Sequence, residues 1–197
     1  ADDAASGAPP VRGWIALLAT LIYTAAAGAV TVYLQPMTHE AGLSADIART
    51  ALWVSLAAQV LGGLSATALA GRVHYYTVFA VSSVIFIASW YVYTLHPPAW
   101  LFLFANATAG FVLVLIGPFL VPMLIEADPT RRTAMQSGAV QLLAGALGPL
   151  LASFVVDARE VFGVIVLGAG LIVGGLALMT LLHAMALRER RAAAAPN

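Results

Sequence analysis

Six stretches of the chain run apolar for long enough to cross a bilayer, with short polar breaks between them: about 13–35, 48–70, 74–95, 98–125, 133–156 and 161–187. A hydrocarbon core about 30 Å thick takes roughly 20 residues of helix, and each stretch meets that length. Arginine appears only at their extreme ends, where a long side chain reaches the interface. Helix-start signals sit where the pattern needs them. Ser44 precedes the second stretch, Pro97–Pro98 opens the fourth, and Asp128–Pro129 puts a cap residue before a proline suited to the first helical position of the fifth. Gly117–Pro118 and Pro122 predict a bend in the fourth. The pattern predicts an all-α membrane protein of six transmembrane helices.

Composition agrees. The 197 residues are 61% hydrophobic and 9% charged, whereas a soluble domain carries about 25% charged residues. A globule of this size has no way to hide so much apolar surface from water, so the lipid bilayer is the first partner. A net charge of zero leaves no basic patch for nucleic acid. The absence of cysteine removes disulfides, thiolate metal sites and cysteine nucleophiles. With no phosphate-binding glycine loop, no metal-ligand pair at helical spacing and no nucleophile–base set, no enzyme, cofactor or metal site is expected. All nine basic residues are arginine and alanine abounds, a composition that points to a bacterial cytoplasmic membrane.

Arginine also sets the orientation. Arg12, Arg72, Arg131, Arg132, Arg188, Arg190 and Arg191 fall on one side of a six-span path, and Arg49 and Arg159 on the other. Both termini are therefore expected in the cytoplasm. Residues 1–12 read as a solvated lead-in, 13–191 as the membrane unit and 192–197 as a cytoplasmic tail. Trp14, Tyr75 and Tyr76 read as inner interfacial anchors, and Tyr33, Trp90, Tyr91, Tyr93 and Trp100 as outer ones.

Sliding the chain on itself by 83 residues lays Arg49-Thr-Ala-Leu52 on Arg132-Thr-Ala-Met135 and Gly62 on Gly145. The second span then matches the fifth. A repeat of three spans reverses direction in the membrane, the inverted 3+3 arrangement of many transporters.

Six spans, this repeat and the stretch Asp128-Pro-Thr-Arg-Arg-Thr-Ala-Met-Gln-Ser-Gly138, continuing to Gly145-Ala-Leu-Gly-Pro149, resemble one half of a major facilitator superfamily transporter. The loop Ala70-Gly-Arg-Val-His74 keeps the Gly-Arg pair of the superfamily's loop signature but lacks its acid, and Asn106 stands near where amino-terminal halves often carry arginine. Both departures fit a carboxy-terminal half, with the acidic lead-in as the end of a central loop. The resemblance implies secondary active transport of a small organic solute by alternating access, against a second six-helix half from the same polypeptide or a second copy. The alternative is a non-transporting six-span subunit or assembly factor of a larger complex.

The candidate cavity residues are uncharged. Thr20, Thr24, Ala27, Gly28, Thr31 and Gln35 share one face of the first span, with Tyr23 beside it. That stripe either lines a watery path, as the resemblance implies, or packs closely with its hydroxyls bonded to their own backbone. Ser55, Gln59, Gly62 and Ala66 on the second span mirror Ser137, Gln141, Gly145 and Gly148 on the fifth. An unpaired amide in hydrocarbon costs roughly 2–7 kcal/mol, so Gln59 and Gln141 must face protein or water. Asn106 in the fourth span needs partners for the same reason, and a solute or a neighbouring helix can supply them. On the cytoplasmic side Glu126, Arg131, Arg132 and Arg72 are candidates for gating ion pairs or plain solvated charges. His74 and His183 read as interfacial histidines. No Asp, Glu or Arg sits mid-span, so this chain holds no evident ion-coupling group.

Overall fold

The computed structural model describes residues 9–156 and 162–194; Arg159 and the ends of the lead-in and tail lie outside them. The described residues form seven helices and no strand: α1 (Val11–Val32), α2 (Leu34–Glu40), α3 (Ala45–Leu69), α4 (Tyr75–Tyr93), α5 (Ala99–Ala127), α6 (Arg132–Ser153) and α7 (Phe162–Ala194). All except α2 are long and apolar enough to cross a membrane. The chain is thus an all-α, multi-pass, membrane-embedded protein, as helices satisfy their own backbone groups in lipid.

Three boundaries differ from the sequence pattern. The first apolar stretch breaks at Tyr33, and the short α2 follows. Pro36 has no N–H to offer the Val32 carbonyl, and Tyr33 closes the first helix with a tight turn onto Val30. At the fifth span, Pro129 is not the first helical residue. It lies in a turn, Arg131 takes a left-handed conformation (φ 63°), and α6 starts at Arg132. The last helix continues to Ala194, well past the lipid-length stretch. α5 runs unbroken through Pro118 and Pro122.

Asp128 holds the α5–α6 corner. Its carboxylate accepts from the Thr130 hydroxyl (2.6 Å) and N–H (3.0 Å), and from the Thr133 hydroxyl (2.8 Å) and N–H (3.0 Å). These bonds, the Thr130 hydroxyl's foremost, outweigh desolvation and hold its pKa at about 2. At the same side of the bundle Arg12 at the head of α1 pairs with Glu189 near the end of α7.

The centre is α1. In its apolar stretch 56% of residues are buried, against 11% in α3 and 11% in α6. α1 packs mainly on α6 and α7, α5 mainly on α3 and α4, and α4 also meets α7. Two interfaces close to backbone contact. A Cβ on Gly62 of α3 would run into the Phe111 carbonyl of α5, and one on Gly148 of α6 into the Ala25 carbonyl of α1. Lipid offers no hydrophobic drive for helices to associate, so such close van der Waals packing carries much of the assembly.

Two predictions follow from this packing. Gly62→Ala and Gly148→Ala should each lower thermal stability in detergent by roughly 1–3 kcal/mol, the usual range for overpacking. Gly145→Ala, whose new Cβ meets nothing within 4 Å, should leave it unchanged or slightly raised; equal losses at all three sites refute the assignment. Asp128→Ala should destabilise the chain at pH 7. Because the folded pKa is depressed, the carboxylate's contribution is present above its ordinary 3.8 and lost as pH falls through about 2. The gap between variant and parent should shrink over that interval, and a constant gap down to pH 2 contradicts this reading.

Candidate functional site

α1 and α3 share no extensive interface. Both touch α5, and small residues facing the gap between them (Ala27, Ser55, Ala109, Gly110) leave it unfilled. The result is a cavity of about 290 Å³ between α1, α3, α4 and α5, in the half of the bundle where α1 ends. α4 supplies an aromatic wall of Phe86, Trp90 and Tyr93, α3 supplies Ser55 and Gln59 with Leu52 and Leu56, and α5 supplies Asn106 and Leu113. No charged side chain lines it. A second recess of about 410 Å³, lined by Gln35 and Arg49, shares Thr31, Leu34 and Leu52 with the first. The two recesses adjoin, and the first is an uncharged chamber. Arg49 in the second is exposed and lies 3.6 Å from Asp46.

The structure brings together Thr31, Gln59 and Asn106 among the predicted cavity residues. Their hydrogen-bonding capacity differs. Asn106 is a buried interhelical clamp: its Nδ2 donates to the Ala51 carbonyl of α3 at 2.6 Å, and its Oδ1 accepts from the Tyr93 hydroxyl of α4 at 3.4 Å. The Thr31 hydroxyl donates to the Ala27 carbonyl one turn back at 2.7 Å. Gln59 has only a long contact, 3.5 Å, from Nε2 to the Ser55 hydroxyl. Its amide is the polar group on the cavity wall with most capacity to spare.

The other candidates lie elsewhere. Tyr23 is fully buried beneath the cavity, edge-on to Phe79 and Phe86, with its hydroxyl 3.2 Å from Ser83 Oγ. Thr24 is half-buried on α1 and does not line the cavity. Gln141 is exposed on α6, away from the chamber. The threonine stripe of α1 divides: Gly28 faces Ala144 and Pro149 of α6, whereas Ala27 and Thr31 face the cavity. Of the candidate gating charges, Glu126 and Arg132 are half-buried at the α5–α6 corner, and Arg131 and Arg72 are exposed. His74 accepts from the Tyr76 N–H at 3.2 Å to cap α4, and its ring meets that of His183.

Trp90 and Tyr93 are not interfacial anchors. They are 3% and 6% exposed, and with Phe79 and Phe86 they form one buried stripe of α4. Their spacing of three, four and seven residues was the available signal. A run rich in aromatics near a span end reads equally as a headgroup belt, and that reading concealed the stripe. Tyr75 is likewise buried, whereas Trp14, Tyr91 and Trp100 are exposed.

No protein-family model matches the chain, and no curated protein or solved structure matches it either.

The unequal hydrogen bonding makes a prediction. Asn106→Leu strands the Tyr93 hydroxyl and should lower stability by about 0.6 kcal/mol, with roughly 1.7 as the ceiling for interhelical bonds in membranes. Gln59→Leu removes almost no internal bond and should melt with the parent. Thermal denaturation of the two purified variants checks this, and greater damage from Gln59→Leu contradicts it.

Proposed function

We propose that this chain is one half of a two-body secondary transporter, a six-helix body of the major facilitator kind that moves a small uncharged organic solute by alternating access. The observation that carries the proposal is the state of α3 and α6. They are the least buried of the six long helices, yet Gln59 on α3 and Gln136 and Gln141 on α6 sit on faces that this chain leaves partly or fully open. Leaving such amides in lipid costs kcal/mol each. A second six-helix body, in the same polypeptide or as a second copy, would cover those faces and enclose the chamber.

An inverted 3+3 repeat is supported by spacing and contacts. Ala99 follows Val11 by 88 residues, Arg132 follows Ala45 by 87, and Phe162 follows Tyr75 by 87. Gly62 lies against Phe111, and Gly148 against Ala25; adding 86 carries Gly62 to Gly148 and Ala25 to Phe111. Exchanging the first three spans for the last three turns the α3–α5 interface into α6–α1 and the α4–α5 interface into α7–α1, the four most extensive pairings. The contacts therefore favour a register near 86 over the 83 suggested by local identities, a shift of about one helical turn.

The cavity speaks against the alternative of a non-transporting subunit, whose small-residue faces would serve only to close helix interfaces. We assign both termini to the cytoplasm of a bacterial cell from the arginine bias.

Proteoliposomes holding the chain as a verified monomer should show no solute-specific flux. Flux should appear once a second six-helix body, including another copy, is assembled with it; flux from the monomer alone overturns the two-body reading. For orientation, Glu40→Cys should react with an impermeant maleimide on intact cells and Arg131→Cys only after lysis. The reverse pattern inverts the topology.

A further inference from the structure

We propose that the flank of the bundle holds a site for one anionic phospholipid, with an acyl chain seated in a groove between α3 and α4 and the phosphate paired with Arg72. The proposal rests on the membrane-embedded fold and stands apart from the transport reading.

The groove follows from the way α3 and α4 share α5. Each packs extensively on α5, but they share no extensive interface with one another. Where α3 ends and α4 begins, Leu69 and Val73 line the gap together with Leu115 of α5. α4 adds Thr77, Val78, Val81, Ser82 and Ile85, which share one helical face. Val78 and Ser82 are buried at its base. The rim is open: Thr77 is exposed, Val81 is 54% exposed, and Leu69, Val73, Ile85 and Leu115 are half-buried.

Its dimensions select the occupant. From Thr77 to Ile85 the groove follows about 12 Å of helix, at 1.5 Å per residue, and it begins within the first turn of α4. Half of a hydrocarbon core is about 15 Å, so the groove runs down one leaflet from the headgroup side. About 170 Å³ spread over that length leaves a channel one hydrocarbon chain wide. A partner helix, roughly 10–12 Å across with its side chains, does not fit. The lining is apolar apart from the hydroxyls of Thr77 and Ser82, which suits a methylene chain.

Close fit alone gives little selectivity, because every lipid has acyl chains and leaving bulk lipid for the groove gains only packing. Selection falls to the headgroup. Arg72 stands at the mouth, next in the chain to Val73. The turn that holds it has Gly71 at φ 75°, and the Arg72 N–H donates to the Leu69 carbonyl at 3.0 Å. The side chain is exposed and belongs to no ion pair among the described residues, and residues 70–74 hold no acid. A guanidinium matches a phosphate with two parallel N–H bonds. A zwitterionic headgroup brings its own cation to that phosphate, so the net-anionic lipid is favoured.

Native mass spectrometry of the purified full chain in detergent, titrated with palmitoyl-oleoyl phosphatidylglycerol or the matching phosphatidylcholine, tests this. The first bound phosphatidylglycerol should be about fivefold tighter than phosphatidylcholine, the size of one arginine's attraction to an anionic surface. Arg72→Gln should abolish that preference, and Arg188→Gln, which removes an exposed arginine elsewhere, should keep it. Val81→Phe narrows the groove and should weaken both lipids, whereas Val84→Phe, at a 68% exposed position of α4 outside the groove, should weaken neither. Thr77→Phe replaces Val81→Phe if the latter fails to give a folded chain. Glycerol 3-phosphate, the headgroup without a chain, should not displace the lipid. Equal binding of the two lipids by the parent, a preference that survives Arg72→Gln or is lost equally in Arg188→Gln, unchanged binding by the groove variant, or displacement by glycerol 3-phosphate overturns the proposal.

Discussion

Everything in this molecule depends on two places where helices touch backbone to backbone, Gly62 against Phe111 and Gly148 against Ala25. In lipid the apolar side chains gain nothing by leaving solvent for one another, so helices associate through close fit and a few polar bonds. Glycine at the crossing removes the side chain that would hold the axes apart. Once α3 is drawn onto α5 and α6 onto α1, the remaining long helices have little choice of position. α4 packs beside α5 and α7 beside α1, and the gap between α1 and α3 is what is left unfilled. The chamber is thus a by-product of tight contact elsewhere.

Polar groups divide sharply by how they meet the cost of burial. Thr20, Thr31, Thr38 and Ser83 each donate to the carbonyl four residues back and behave as apolar residues with a satisfied hydroxyl. Tyr23 and Asn106 reach across to neighbouring helices and tie α1 to α4, and α5 to α3 and α4. Gln59 and Gln141 do neither. An amide has too many donor and acceptor sites to be quieted by one backbone carbonyl, and these two lie on the least covered helices. Function is sought there because packing does not account for them.

The six spans were legible because membrane thickness imposes a length that periodicity and composition reveal directly, and all six apolar stretches correspond to helices. Helix ends were less so. The first stretch breaks at Tyr33, one turn ahead of Pro36, and Asp128 organises a four-bond turn instead of capping at the predicted position. Both depend on which conformation a local turn adopts, and residue type alone does not settle that. The repeat expected from local identities has an offset of 83, whereas the one proposed from the contacts has an offset of 86. In alanine- and glycine-rich helices a match one turn away is nearly as good in sequence, because residues three and four apart share a face.

The sequence by itself determined the class of the molecule: apolar runs, sparse charge and confined arginines admit a helical membrane protein and little else. It also singled out the polar side chains that lipid would not tolerate. Only the tertiary structure decided which of them are spent. Asn106 and Gln59 are similar amides in similar apolar surroundings, yet one is bonded to two neighbouring helices and the other faces a cavity. The same holds for Trp90 and Tyr93, whose position in the chain fits a headgroup belt but whose side chains wall a chamber. The reason is geometric. Sequence periodicity gives the face of a helix on which a residue lies, but what that face meets depends on rotations and crossings set by glycine contacts on other helices.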